Sequence, residues 1–557
     1  MTEAKRIAAL PVRVESKTEW VQTALQKRGG GVELRPLQRL ALAEIAAVGG
    51  GFFPIGVGHG KTLIALLAGS ILECEVAIII VPASLKVQMH EELSRFSLWF
   101  EIPAKTHIIS YSSLSKADGT DLLNRLCEGV KDFSKVVLVC DEAHRLKRLQ
   151  SSRTMRVVRF MVNNPKVHFV ALSGTMTTKS LRDFSHLAEL ALRNGSPVPM
   201  ERNTLESWAE CIDVDGKPGR YDWDRIRFLW SWKYGGGKVQ YFNLRTRERQ
   251  SQVRSAFQDR LRLTPGVVCS EEGSLGCSLN LHEWKGLESP DINRALSLVQ
   301  EVEEDPAGNV IVDPLHRFRV LSQLTAGYFY EWDWGETPEE LRDVWMWRRN
   351  QWNRHVRSEL SYRSKEGYDS PFLIEQEIRK GGKRSIHKAY EEWTEVKEDA
   401  NPTPFAVWVD EKPLEDALQL LDWCDSPGIL WFQGQAVEEK LRELRPELEV
   451  YGAGSNFDQT KARPIALSIR AHGVGKNLQA WKEQVVLSPP SSGGAWEQLL
   501  GRTHRAGQQA DEVKVTVVQT YYPQSNALLQ AQTDARYIEE TTGNVQKLNF
   551  CNWSKGG

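Results

Sequence analysis

The stretch Gly58-His59-Gly60-Lys61-Thr62, leading into the apolar helical run 63–72, has the make-up of a phosphate-binding loop. Glycines let backbone N–H groups turn inward around phosphate oxygens, and the N-terminus of the following helix adds partial positive charge at the same point. In such a loop Lys61 reaches the β- and γ-phosphates of a nucleotide and Thr62 holds Mg²⁺. The strict pattern asks for glycine where Ile55 stands, and a glycine-rich turn before a core helix is the alternative.

Eighty residues after Lys61, the apolar run 136–140 ends in Asp141-Glu142-Ala143-His144. A carboxylate at the end of a buried strand can hold Mg²⁺ through water, which suits Asp141, and its neighbour Glu142 can orient and deprotonate an attacking water. Ligands of open α/β sheets sit at the carboxyl ends of the strands, which puts both motifs in one crevice. Phosphoryl transfer also needs cations against the γ-phosphate. The segment 498–508 offers Arg502 and Arg505, three apart and on one face if helical. They meet the loop only if a second lobe folds over the first; a solvated basic helix is the alternative.

The elements that must position these groups follow from the hydrophobic pattern. Residues 1–200 alternate short apolar runs (76–81, 107–111, 136–140, 167–172) with amphipathic stretches such as 37–48, which has Pro36 before it and Gly49-Gly50-Gly51 as a stop. That alternation predicts a parallel sheet covered by helices. Residues 410–557 repeat it, with runs at 429–432, 448–451, 465–469, 485–487 and 513–518. Residues 201–409 hold 12 of the 19 tryptophans and long helical patterns at 291–302 and 341–360, and are expected to form a mainly helical bridge. The predicted fold class is α/β: two parallel-sheet lobes, 1–200 and 410–557, joined by a helical insertion.

With 41% hydrophobic and 26% charged residues the chain can bury ordinary cores, and the formal net charge of −1 means that any polyanion-binding surface must be local. No apolar run reaches the ~20 residues of a membrane span, and the first residues lack a secretory signal, so a cytoplasmic location is expected. The eight cysteines form no Cys-x-x-Cys pair, which points to buried free thiols.

Taken together and in order, these motifs resemble those of superfamily-two helicase-type ATPases, most closely the Swi/Snf-like DNA translocases. Leu34-Arg35-Pro36-Leu37-Gln38 resembles the adenine-reading glutamine motif, which the resemblance assigns to Gln38. Val81-Pro82-Ala83-Ser84-Leu85 and Ser110-Tyr111 resemble strand-end segments that touch nucleic acid, implying contacts from Pro82, Ser84 and Tyr111. Ser173-Gly174-Thr175 resembles the motif that links hydrolysis to lobe movement, with His144 and Gln498 as further coupling residues. The runs 429–433, 471–478 and 501–508 resemble the second lobe's motifs, adding Gly473 and Gly475 to the nucleotide site and Lys476 to the nucleic-acid contacts. Departures are Met176 in place of proline, Lys476 in place of leucine, and 487–494 in place of an Asp and a Trp-Asn-Pro. The resemblance implies RecA-like lobes, ATP and Mg²⁺, and a motor on DNA, duplex favoured over RNA. The compact length looks like a prokaryotic or phage member acting in the cell or infected host. An RNA helicase of the Asp-Glu-Ala-His class and an ATP-gated clamp that does not step are the rival readings; protein partners are not specified.

Three basic clusters are candidate nucleic-acid contacts. Arg145, Lys147, Arg148, Arg153, Arg156 and Arg159 follow the acidic box without one acid between them, with Arg148 and Arg153 taken as contacts, or they are a solvated helix face. In 341–360, Trp345, Trp347 and Trp352 alternate with Arg342, Arg348, Arg349, Arg354 and Arg357; aromatics beside arginines can stack bases, but a helix packed through its tryptophans is the favoured reading. The third is the loop-like run 379–384.

Overall fold

The computed structural model describes residues 2–14, 17–116, 119, 121–149, 151–177, 179–270, 277–363, 370–381, 386–473, 475–505 and 507–555. Gly382, Lys383 and Arg384 of the third basic cluster, and Val474 and Ala506 of the second-lobe motifs, lie outside the described residues.

Among the described residues fourteen strands are formed: β1 Gly50–Pro54, β2 Val76–Val81, β3 Lys105–Ser110, β4 Val136–Asp141, β5 His168–Ser173, β6 Ser278–Trp284, β7 Tyr328–Asp333, β8 Thr403–Trp408, β9 Gly428–Phe432, β10 Glu449–Tyr451, β11 Ile465–Ser468, β12 Glu483–Val486, β13 Glu512–Val518 and β14 Asn552–Lys555. Five make one parallel sheet in the order β1-β5-β4-β2-β3, and seven make a second in the order β10-β11-β9-β12-β13-β6-β14. β7 and β8 form a separate antiparallel pair. The α/β class with two parallel sheets is therefore observed. Runs such as Val76–Val81 and Val136–Asp141 are buried at every position, as strands covered on both faces must be.

The division of the chain differs from the expected one in three ways. First, the helices Arg202–Ile212, Arg220–Tyr234 and Thr246–Arg262 join the first lobe: Trp208, Trp223, Trp230 and Phe257 pack in one cluster with Ile78 and Leu138. Second, β6 pairs along its whole length with β13, so the second lobe draws a strand from far upstream of residue 410. Parallel pairing needs a crossover but sets no upper limit on its length. Third, the helix does stop at Gly49 (φ 76°), but β1 follows with no intervening loop and takes Gly50 and Gly51 into the sheet. Gly50 is required there because its Cα faces the Ala191 carbonyl, leaving no room for a side chain.

The stretch between β6 and β9 holds the long helix Glu339–Arg363 and a tryptophan-rich cluster of its own. Trp345 and Trp352 are buried in it while Trp347 is 55% exposed, so the long helix is packed rather than offered to bases. Among the described residues, no helix is long and apolar enough to cross a membrane. Cys74, Cys127, Cys140, Cys211, Cys277, Cys424 and Cys551 are free thiols.

Candidate active site between the lobes

Apart from Gln38, the first-lobe motifs stand at the carboxyl ends of strands: the phosphate loop after β1, Pro82 and Ser84 after β2, Tyr111 after β3, Asp141 closing β4 and Ser173 closing β5. The helix Lys61–Ile71 starts at Gly60, whose φ of 77° only glycine adopts readily and whose missing Cβ makes room for the Gln38 amide. Gln38 Nε2 donates to the Gly60 carbonyl at 3.0 Å, and the Arg35 backbone N–H donates to Gln38 Oε1 at 2.8 Å. Gln38 thus ties the start of its own helix, Pro36–Val48, to the loop.

Lys61 is buried, and its Nζ donates to the carbonyls of Ile55 and Gly56, both at 3.0 Å. Asp141 and Glu142 are buried beside it. Glu142 has a left-handed backbone (φ 55°, ψ 49°), a conformation that costs a non-glycine residue about 1–3 kcal/mol and that concentrates at functional sites. Burial opposes ionisation of Glu142. The Lys61 ammonium, the hydrogen bond from His144 and the Arg502 guanidinium outweigh it and hold the carboxyl well below its usual range. Burial and the Glu142 charge push Asp141 the other way, against Lys61.

The coupling residues converge on Glu142. His144 Nδ1 lies 3.2 Å from Glu142 Oε2 and 2.9 Å from Ser173 Oγ. Ser173 Oγ donates to Glu142 Oε2 at 3.4 Å and accepts from the Thr175 backbone N–H at 3.2 Å. From the second lobe, Gln498 Nε2 donates to Glu142 Oε1 at 3.3 Å. Gln498 lies in the helix Gly493–Leu500, and its Oε1 accepts from Arg502. Arg502 also donates to the Gln498 and Lys476 carbonyls, at 2.9 and 3.2 Å.

One cavity of about 130 Å³ collects these groups from both lobes. Its walls include Gly58, Gly60, Lys61, Thr62, Asp141 and Glu142 on one side and Gly475, Lys476, Arg502 and Arg505 on the other. Arg505 sits directly over the loop, its Cβ 3.4 Å from where a Cβ on Gly58 would lie. Burial and then Arg505 pull the Arg502 guanidinium down to about 10, and burial with Arg35 lowers Arg505. Burial, then Lys547 and Lys61, lowers the His59 imidazole, which favours its neutral form. Gly473 does not reach the cavity; it closes the short helix Ile469–His472 behind it.

The nucleic-acid candidates are scattered. Ser84 and Arg148 are exposed, Arg153 and Lys476 are half-buried, and Pro82 is buried. Tyr111 is a correction: it is 2% exposed, its hydroxyl donates to the Asp141 carbonyl at 2.8 Å, and its ring packs in the first-lobe core. An aromatic at the end of a strand lowers its free energy by turning inward when a buried carbonyl awaits its hydroxyl. Arg156, of the same basic run, is engaged by the Leu114 and Lys116 carbonyls.

Residues 35–184 match the DEAD/DEAH box helicase family. The matched span holds β1–β5 with Lys61, the Asp141-Glu142-Ala143-His144 box and the Ser173-Gly174-Thr175 turn, so the first lobe carries a DEAD/DEAH box helicase domain. Comparison with curated proteins finds no match. Two residues that knit this helicase domain to the second lobe, Ser270 and Asn544, belong to none of the sequence motifs; single polar residues after a helix or linker give no pattern to search for.

Proposed function

We propose that this protein is an ATP-driven nucleic-acid motor whose two lobes hydrolyse ATP in the cavity between them, and that its polymer is DNA. The observation that carries the proposal is the charge and parentage of that cavity. Lys61, Lys476, Arg502 and Arg505 face Asp141 and Glu142, the cations supplied by both lobes and in excess of the acids. A cationic excess at the carboxyl ends of strands fits a polyanion, and a triphosphate has the matching charge. A DEAD/DEAH box helicase domain implies a nucleic-acid partner for such turnover.

A nucleotide bound in this cavity brings its phosphates beside Lys61 and the facing arginines. Phosphate oxygens then replace the Ile55 and Gly56 carbonyls as partners of Lys61. Glu142, kept ionised and aimed by His144, Ser173 and Gln498, accepts the proton of the attacking water. Arg502 and Arg505 stabilise charge on the transferring phosphoryl group. The Thr62 hydroxyl and the Asp141 carboxylate are the hard-oxygen donors that would hold Mg²⁺, which supplies charge neutralisation of the phosphates. Because Gln498 reads Glu142 from the other lobe, hydrolysis and lobe opening are linked, and repeated closure and opening moves the lobes along the strand.

The DNA assignment draws on the sequence resemblance to Swi/Snf-like translocases, with Ser84, Arg148, Arg153 and Lys476 as backbone contacts. It is tested by ATP turnover with duplex DNA, single-stranded DNA and RNA as competing activators. Duplex DNA is expected to stimulate most; preferential stimulation by RNA would replace the DNA assignment, and turnover indifferent to all three would refute the motor.

A further inference from the structure

We infer that Asn544 is a positioning residue that locks the phosphate loop, the Ser173-Gly174-Thr175 turn and the second lobe into one hydrolytically competent arrangement. The inference rests on reading the inter-lobe cavity as an ATPase site. The Gly56 backbone N–H, at the floor of the phosphate loop, donates to Ser270 Oγ at 3.0 Å. Ser270 Oγ donates to Asn544 Oδ1 at 2.7 Å, and Asn544 Nδ2 donates to the Gly174 carbonyl at 2.5 Å. Asn544 is 1% and Ser270 3% exposed. The orientation of the amide follows from the network: rotated by half a turn, its oxygen would face the Gly174 carbonyl and its NH₂ would take the place of the acceptor that Ser270 requires.

The position of Asn544 is set by the helix Tyr522–Thr542, which packs on both Thr246–Arg262 of the first lobe and Gly493–Leu500 of the second. Tyr537 hydrogen-bonds Asp213 at 2.9 Å, and Arg254 pairs with Glu540 at 3.3 Å, anchoring the helix to the first lobe. Gly543 (φ 73°) turns the chain sharply after the helix, sending Asn544 into the seam. The loop floor packs closely on this pair: a Cβ at Gly56 would lie 3.3 Å from His59 Nδ1 and from Ser270 Oγ and 3.4 Å from Asn544 Oδ1.

Three residues on, the Lys547 backbone N–H and Nζ both reach Glu497, at 2.8 and 3.2 Å. Glu497 adjoins Gln498, the residue that contacts Glu142. The segment 544–547 therefore grips the cavity from two sides: the loop floor and the Gly174 turn through Asn544, and the helix bearing Gln498 through Lys547. Loss of the Asn544 side chain frees these parts to close out of register, which slows the chemical step without removing any group that binds the nucleotide.

The test compares wild type with Asn544→Ala, Asn544→Asp, Ser270→Ala and the double variant Ser270→Ala/Asn544→Ala, measuring kcat and KM for ATP under polymer stimulation, with activity expressed per folded molecule from thermal unfolding. Asn544→Ala is expected to lower stimulated kcat about tenfold while the KM for ATP stays within about threefold. Asn544→Asp, which keeps the Ser270 acceptor but opposes two oxygens at Gly174, is expected to lose as much as Ala. The double variant is expected to lose no more than the worse single one, since both break the same chain. A kcat per folded molecule within about twofold of wild type in Asn544→Ala, or losses that simply add in the double variant, would overturn the inference. If Asn544→Ala does not fold, Ser270→Ala and Asn544→Asp decide by the same criteria. Lys61→Ala is the reference: its failure to abolish turnover would sink the ATPase reading beneath the inference, whereas an inactive Lys61→Ala beside normal Asn544 variants sinks the inference alone.

Discussion

Two arginine-rich regions of this molecule look alike in sequence and differ in what faces them. On the helix Glu339–Arg363, Arg348 pairs with Glu392, Arg354 with Glu304 at 3.0 Å, Arg357 with Glu303 at 2.7 Å and Arg363 with Glu377 at 2.6 Å. Arg349 lies over the rings of Trp332 and Trp345, 4.9 and 5.4 Å from their centroids. In the inter-lobe cavity, Arg502 donates to carbonyls and an amide side chain with Glu142 as a charge neighbour, and Arg505 overlies a glycine loop. Cations matched by carboxylates hold a structure together. Cations that outnumber the acids around them keep a positive potential that an arriving anion can use. The difference separates scaffold from site, and composition alone does not reveal it.

That comparison can be broken by mutation. The largest effect belongs to Arg502→Ala: steady-state hydrolysis should fall by on the order of 10³-fold with thermal stability little changed, because the desolvation cost of the buried guanidinium and its attraction to Glu142 are lost together. Arg363→Ala should do the reverse. Arg363 is 4% exposed, so loss of its pairing with Glu377 should cost about 3–5 kcal/mol in denaturant unfolding and leave turnover per folded molecule unaltered. Between these lies Gln498→Ala, which removes a hydrogen bond from the second lobe to Glu142; stimulated kcat should drop about tenfold while nucleic-acid affinity holds. The smallest effect is Tyr111→Phe, which should cost about 1 kcal/mol of stability and leave the salt dependence of DNA binding unchanged. A steep loss of DNA affinity there would restore Tyr111 as a contact.

The first lobe was legible because its chemistry is concentrated in short contiguous motifs at strand ends. Lys61, Asp141 and Glu142 lie in short contiguous runs, and the fold brings them to one cavity with Arg502 and Arg505 of the run 498–508. What escaped the sequence had physical reasons. β1 is glycine-rich because the Ala191 carbonyl approaches its backbone, so it reads as a turn. β6 does alternate, with Leu279 and Leu281 buried, but its partners lie more than two hundred residues downstream. Tyr111 resembles an exposed strand-end residue until the Asp141 carbonyl is seen to receive its hydroxyl. Ser270 and Asn544 acquire a role only through the fold that brings them to Gly56 and Gly174.

The most direct test of the central claim is ATP hydrolysis with duplex DNA present or absent, in wild type, Lys61→Ala and Glu142→Gln, alongside titration with a fluorescent ATP analogue. The account predicts DNA-stimulated turnover in wild type, none in either variant, and retained analogue binding in Glu142→Gln. Undiminished hydrolysis in either variant would contradict it.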